Sequence, residues 1–384
     1  MENLIDGRRI AAEIHAETQQ RVQRLQEKGI QPGLVFIRVG EDPASRVYVG
    51  MKEKKSQELG IASSTVVLDE STTQADLLNL IQRYNQDEAI HGILVQAPLP
   101  SHIDETVVFS SVDPSKDVDG FHPINVGKLM LHQSGGFRPC TPAGVHELLI
   151  RSKVETQGVE VVILGRGNIV GKPMAAIMLQ KSPHANSTVT LCHSRSANVK
   201  EHCRRADIII AAMGVAQFLK ADMVKPGATV LDVGVNRIAD PSAPRGSRLV
   251  GDVDFKGVQP IAGRITPNPG GVGPMTIAML MQNTVIWLPG MIGSVLFLVS
   301  AYLAYIETSH AHNVRPRREL AWWIVAINLL GCIAFMIAST VAYVPRGTDP
   351  QWALDASNAN LWFGAFCFFV AAALSMVEAR HAAH

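Results

Sequence analysis

The sequence predicts an α/β protein of two domains, the second of Rossmann type, followed by a helical transmembrane tail. Three observations carry this expectation. Strand-length apolar runs alternate with helix-length segments through the first 280 or so residues, the pattern of a parallel sheet covered on both faces. A glycine-rich turn, Gly165-Arg166-Gly167-Asn168-Ile169-Val170-Gly171, follows one apolar run and opens a helical segment. Composition then breaks near Thr284: the last lysine is Lys256, and all five tryptophans lie beyond the break.

Taken in order, residues 8–28 read as an amphipathic helix ended by Gly29, and GLVFIRVG (33–40) as a short buried strand. Ala44 to Leu59 is helical and stops at Gly60; IASSTVVL (61–68) is a strand and Gln74 to Tyr84 a helix. HGILVQ (91–96) is a strand that Pro98 and Pro100 forbid from continuing. A second series begins near Thr141, with helix 143–152, strand 159–165, helix 172–180 and strand 187–194. After a further helix come strands 206–212 and 228–234.

The glycine-rich turn has a physical reading. Glycines at a strand-to-helix junction let the backbone approach a pyrophosphate, which the free N–H groups and dipole of the helix start stabilise. Pro173 is tolerated in that helix's first turn. The next strand ends in Cys192-His193-Ser194-Arg195, where an NAD site would carry Asp or Glu for the ribose hydroxyl. A cation and a hydroxyl suit a 2′-phosphate instead, so the expected cofactor is NADP. In the first unit, Tyr48 and Lys52 stand four apart on a helix and share a face. Spacing alone favours a surface pair. Their company is Gln96, at the C-terminal end of a strand, and the acidic turn Lys116-Asp117-Val118-Asp119-Gly120.

Whole-chain properties narrow the function classes. A formal net charge of +1 and a pI near 7.8 provide no basic field for nucleic acid. The five cysteines form no C-x-x-C pair, which fits a reducing compartment and argues against a zinc site or disulfide framework; no metal is expected. The N-terminal stretch has no apolar core of a secretory signal, so residues 1–284 are expected to be cytosolic.

These residues resemble the bifunctional methylenetetrahydrofolate dehydrogenase/methenyltetrahydrofolate cyclohydrolase family from about residue 3 to residue 284. The matching stretches are YVGMKEK (48–54), GILVQAPLP (92–100), KDVDGFHPINVGKL (116–129), PCTPAG (139–144), VVILGRGNIVGKPM (161–174), TVTLCHSRS (188–196), VLDVGVN (230–236), GDVDF (251–255) and TPNPGGVGPMT (266–276). The resemblance implies a folate-binding α/β domain over 1–140, completed by a helix at 274–284, and an NADP-binding Rossmann domain over 141–273. It implies Lys52 as the catalytic lysine, Tyr48 as aromatic partner of the folate, Gln96 as assistant to the lysine, and Asp119 as holder of the pterin. Pro269, Gly270 and Gly271 would line the substrate cleft. Gly165, Arg166, Gly167, Gly171, Ser194, Arg195 and Val235 would bind NADP. Tetrahydrofolate one-carbon derivatives are the implied substrates, and a homodimer the implied assembly.

Three positions depart from the family pattern: Gly167 stands where Ser is usual, Ala97 where Leu is usual, and Asn268 where Val is usual. The first removes a hydroxyl near the cofactor phosphates; the others flank the folate cleft. Two other readings compete: an NADP oxidoreductase for another small molecule, which the Tyr48, Lys52, Gln96 and Asp119 set opposes, and a membrane-tethered interaction protein with a relic enzyme domain, which the same intact set opposes.

The tail, 285–384, holds three uncharged apolar runs, Val285 to Ile306, Leu320 to Val344 and Leu361 to Val377, of 22, 25 and 17 residues. About 20 apolar residues span a bilayer core as a helix. Trp287, Trp322, Trp323 and Trp362 sit near the starts of the runs, at headgroup level for spanning helices. A buried soluble bundle would need polar stripes that these runs lack. The tail resembles small bacterial multi-pass modules of the YrhK kind at the level of composition, and Asn328 is the one strongly polar side chain inside a run. Three spans from a cytosolic enzyme place the 307–319 loop, with Arg315, Arg317 and Arg318, outside, against the positive-inside rule.

Overall fold

The computed structural model describes residues 3–240, 242, 246–286, 324, 326–333, and 363, 366, 367, 369–371 and 374. The chain divides into two compact units, Met1–Val285 and Ile286–His384.

The first unit opens with α1 (Gly7–Gln26), whose Asp6 cap accepts hydrogen bonds from the Arg8 and Arg9 amides. Ile10, Ile14, Thr18, Val22 and Leu25 form its buried stripe. There follow β1 (Gly33–Val39), α2 (Pro43–Glu58), β2 (Ala62–Leu68), α3 (Gln74–Gln86), β3 (Gly92–Val95), α4 (Glu105–Ser111) and α5 (Pro123–Met130). The three strands make a parallel sheet ordered β2-β1-β3. Central β1 is buried along its whole length, and β2, at an edge, is not. Val35, Ile37, Ile93 and Val95 pack on Leu77, Leu80 and Ile81 of α3 to form the core of this lobe.

The second lobe runs α6 (Cys140–Arg151), β4 (Glu160–Leu164), α7 (Gly171–Met178), β5 (Thr188–Cys192), α8 (Val199–Arg205), β6 (Ile208–Ala211) and β7 (Thr229–Asp232). A hairpin, β8 (Asn236–Ala239) with β9 (Ser247–Val250), then α9 (Phe255–Val258) and β10 (Arg264–Ile265) complete it. Five parallel strands take the order β10-β7-β6-β4-β5. The order reverses between β4 and β6, and a doubly wound sheet opens its ligand crevice at such a switch point. Finally α10 (Val272–Ile286) packs Met275 against Gly144 of α6. Arg151 of α6 makes a two-pronged ion pair with Glu17 of α1 at 2.8 and 2.9 Å.

Long elements fall where their periodicity places them; their ends move. The strands expected over 91–96, 187–194 and 228–234 contract to β3, β5 and β7, because the last residues of each run turn out into loops at the carboxyl edge of a sheet. The helix expected from 143 begins at Cys140. Helices α4, α5 and α9, strand β10 and the hairpin β8–β9 have no counterpart in the apolar pattern: elements of two to eight residues are too short to register a period.

In the second unit, Ile324, residues 326–333 and the described positions between 363 and 374 are helical. Among the described residues no helix is long and apolar enough to cross a membrane. The runs 285–306, 320–344 and 361–377 lie largely outside the described residues, as do the 307–319 loop and its arginines.

Candidate active site

Helix α2 begins at Pro43, with its first turn held by Asp42, whose carboxylate accepts from the Ser45 amide at 2.7 Å. Two turns on, Lys52 is only 8% exposed, and its Nζ donates to Gln96 Oε1 at 3.0 Å. Gln96 follows β3, anchored by its amide on the Ile37 carbonyl at 2.8 Å. Its Nε2 donates to the Ala97 carbonyl at 2.6 Å, which turns the oxygen end toward the lysine. Tyr48, one turn earlier on α2, leaves 40% of its surface open. The fold thus brings together a lysine, its amide partner and an accessible aromatic ring.

The turn after residue 116 supplies two aspartates, and only their environments tell them apart. Asp117 is buried and accepts four hydrogen bonds, from the amides of Gly120, Phe121 and His122 and from Asn125 Nδ2. Burial pushes its carboxyl up to about 7, against the pull of those donors. Such a carboxylate is spent on holding its own loop. Asp119 retains partial accessibility and feels the charge of Lys52. Burial raises its carboxyl above the ordinary range, while the charge of Lys52 acts in the opposite direction. That thiol, wholly buried, is itself pushed well up by burial and by Asp119. Gly120 has φ 78°, and a Cβ there would come within 2.6 Å of the Arg138–Pro139 backbone, so this turn requires glycine.

Pro269, Gly270 and Gly271 lie on the segment between β10 and α10, against the start of α1: a Cβ on Gly7 would meet the Gly271 carbonyl oxygen at 1.8 Å. Asn268 donates to the Gly234 carbonyl at 2.6 Å, tying this segment to the loop that precedes Val235. The departure at 268 therefore adds a polar link that a valine could not make.

In the second lobe, Gly165 closes β4 with φ 118°; a Cβ there would stand 2.1 Å from the Ala212 oxygen, at the end of β6. A Cβ on Gly171 would stand 1.9 Å from the Gly165 oxygen. These two glycines shape the turn. Gly167 does not: a Cβ there meets nothing within 4 Å. Arg166 and Gly167 are exposed at the crevice, as are Ser194 and Arg195 beyond β5, and Val235 at 55%. His193 orders the 193–196 turn, its amide donating to Ser196 Oγ at 2.9 Å and its Nδ1 accepting from the Arg195 amide at 3.2 Å. A glycine cradle at the switch point, with a cation and a hydroxyl at the end of the neighbouring strand, fits a 2′-phosphorylated dinucleotide.

Sequence reasoning assigned no role to three residues that build this site. Asp252 accepts from the Met213 and Gly214 amides at 2.7 and 2.9 Å and from Asn236 Nδ2 at 2.8 Å. Asp232 accepts from the amides of Gly234 and Asp252 at 3.0 and 2.9 Å. Together these buried acids fix the loops that follow β6 and β7 around Val235. Cys140 is the third. All three lie in stretches quoted for the family resemblance, so the signal was visible without a role attached.

A two-lobed α/β fold with a glycine-rich switch-point crevice in one lobe and a buried lysine–amide pair in the other is the architecture of a dinucleotide-binding enzyme. Residues 5–119 match the tetrahydrofolate dehydrogenase/cyclohydrolase catalytic domain, and residues 139–289 match the NAD(P)-binding domain of the same family. The bifunctional FolD protein of Chlorobium chlorochromatii is 54% identical over 284 residues, 73% of this chain and 96% of its own. The crystal structure of the bifunctional enzyme FolD from Campylobacter jejuni superposes with a TM-score of 0.71 at 47% identity, covering 75% of this chain and 98% of that one. The Trypanosoma brucei enzyme, solved with NADP and an inhibitor, gives 0.71 at 39%, with the same coverage of 75% and 98%. The chain belongs to the tetrahydrofolate dehydrogenase/cyclohydrolase family.

Proposed function

We infer that the chain oxidises 5,10-methylenetetrahydrofolate to 5,10-methenyltetrahydrofolate with NADP and then hydrolyses the product to 10-formyltetrahydrofolate. The observation that carries this reading is the Lys52 Nζ to Gln96 Oε1 bond of 3.0 Å beside Asp119, within a chain of this family. NADP, when bound, supplies the acceptor for the hydride that leaves the bridging carbon. The residues that would hold it are Gly165, Arg166, Gly167 and Gly171 at the pyrophosphate, Ser194 and Arg195 at the 2′-phosphate, and Val235 beside the crevice. In the oxidation the protein mainly aligns reactants, a task that asks for geometry rather than acid.

Hydrolysis needs more of the side chains. Water adds to the cationic methenyl carbon and the adduct gives up one proton; the bond from that carbon to one nitrogen then breaks as the remaining hydroxyl proton passes to that nitrogen, leaving the formyl group on the other. Lys52 moves the proton, with Gln96 fixing its Nζ without adding charge. Asp119 holds the pterin edge, the ring of Tyr48 lies against the flat substrate, and Pro269, Gly270 and Gly271 line the cleft. Lys52→Met is expected to abolish cyclohydrolase activity, followed as loss of methenyltetrahydrofolate absorbance, while the chain still binds NADP. Full retention of hydrolysis would remove Lys52 from the mechanism.

The proposed organisation assigns 1–140, completed by 274–284, to folate and 141–273 to NADP. Edge strand β2, with Val67 exposed, supports a homodimer through that edge. The tail, 285–384, is proposed as a three-span membrane anchor of a cytosolic enzyme; its support is the length of the uncharged runs 285–306, 320–344 and 361–377 and the tryptophans at their starts. The likeness to YrhK-type modules rests on those same runs.

A further inference from the structure

Helix α10 is the last element of the first unit, and it touches both halves of the proposed folate subsite. Ser56 Oγ lies 2.9 Å from the Lys52 carbonyl and 3.3 Å from Met281 Sδ, so α10 meets α2 one turn past the lysine. Two residues further along α10, Asn283 Nδ2 lies 2.8 Å from the Val118 carbonyl, 3.2 Å from the Arg138 carbonyl and 3.6 Å from Cys140 Sγ. An amide nitrogen carries two hydrogens, and the two carbonyls are the closer acceptors. Val118 immediately precedes Asp119. Its side chain is locked on the other side, where a Cβ added to Gly92 would meet it at 2.7 Å. Its carbonyl is held by Asn283 and by the Cys140 thiol, 3.3 Å away. Gly120, after Asp119, is pinned against Arg138 and Pro139. The Asp119 carboxylate therefore stands between two fixed residues, one of which is fixed by Asn283.

We infer that Asn283 is a positioning residue for the folate subsite: its side-chain amide sets the Val118–Asp119 backbone in register with α2, and so with Lys52. This rests on the reading of Asp119 as the pterin anchor. The bond comes from α10 rather than from the elements that carry Lys52 and Asp119, so its loss is expected to displace the carboxylate and leave the dinucleotide crevice intact.

The test is a steady-state comparison in the full chain. Asn283→Ala is expected to raise KM for methylenetetrahydrofolate by about 5- to 30-fold, the weight of one or two neutral hydrogen bonds, while KM for NADP stays unchanged. Should that chain fail to fold, Asn283→Gln keeps the donor but displaces it by one methylene, and the ratio of the two KM values is expected to move the same way. A purely structural amide would lower melting temperature or the amount of active enzyme and leave both KM values where they were; that result overturns the inference. Asp119→Asn run alongside separates the two claims. If it leaves KM for the folate unchanged, the reading of Asp119 falls and this inference with it. If it raises that KM and neither Asn283 variant does, this inference alone falls.

Discussion

At position 167 the structure places a glycine that nothing around it demands. Gly165 and Gly171 are fixed by the carbonyls their side chains would strike, whereas a Cβ at 167 points into open space. Gly167→Ser is thus expected to cost no packing and to restore a hydroxyl donor at the phosphates. Titration of NADP should show a lower Kd, by about 3- to 10-fold for one modest hydrogen bond; an unchanged or weaker Kd would mean that the hydroxyl finds no phosphate there. Spacing put Tyr48 and Lys52 on one helix face and Gln96 at a strand end, which the structure keeps together, but their roles came from the family resemblance alone. Between Asp117 and Asp119 sequence physics could not choose, since both sit in one turn two residues apart. The choice lies in which carboxylate the loop's own amides consume, and that is a property of the folded turn.

Among the elements, β6 and β7 pair to their last residues, and the loops beyond them are held by two buried acids, Asp232 and Asp252. Asp232 is pushed up to about 6 by burial, above its ordinary value, so the folded chain holds that proton more tightly than the unfolded one. Its contribution to stability is fully present below about pH 4 and is lost as the pH rises through about 6. Asp232→Asn carries no charge to lose, and thermal unfolding across that range should show a flatter decline than the parent chain. A slope identical to the parent's would remove Asp232 as its source. The longer helices and strands of both sheets were readable from apolar periodicity and from the stops at Gly29, Gly60 and Pro98. The hairpin β8–β9 was not, because its strands NRIA and SRLV leave Arg237 and Leu249 exposed and present no apolar face to read.

For the whole molecule, the compositional break near Thr284 coincides with the boundary between the compact units, Val285 to Ile286. That agreement has a simple cause: α10 must be apolar to fill the space against α6, yet it lies on the side of the break still governed by packing within a globular body. The proposed anchor makes a separable prediction. Without detergent, dehydrogenase activity should sediment with the membrane fraction, and protease added from outside should cut the 307–319 loop. Activity left in the supernatant would sink the anchor, and a protected loop would sink the three-span arrangement. The position of α10 also bears on the order of synthesis. Domains fold as they emerge from the ribosome, N-terminal portions first. Here the helix proposed to position the folate subsite is followed by about a hundred further residues, so the whole first unit can fold while its own chain is still being made.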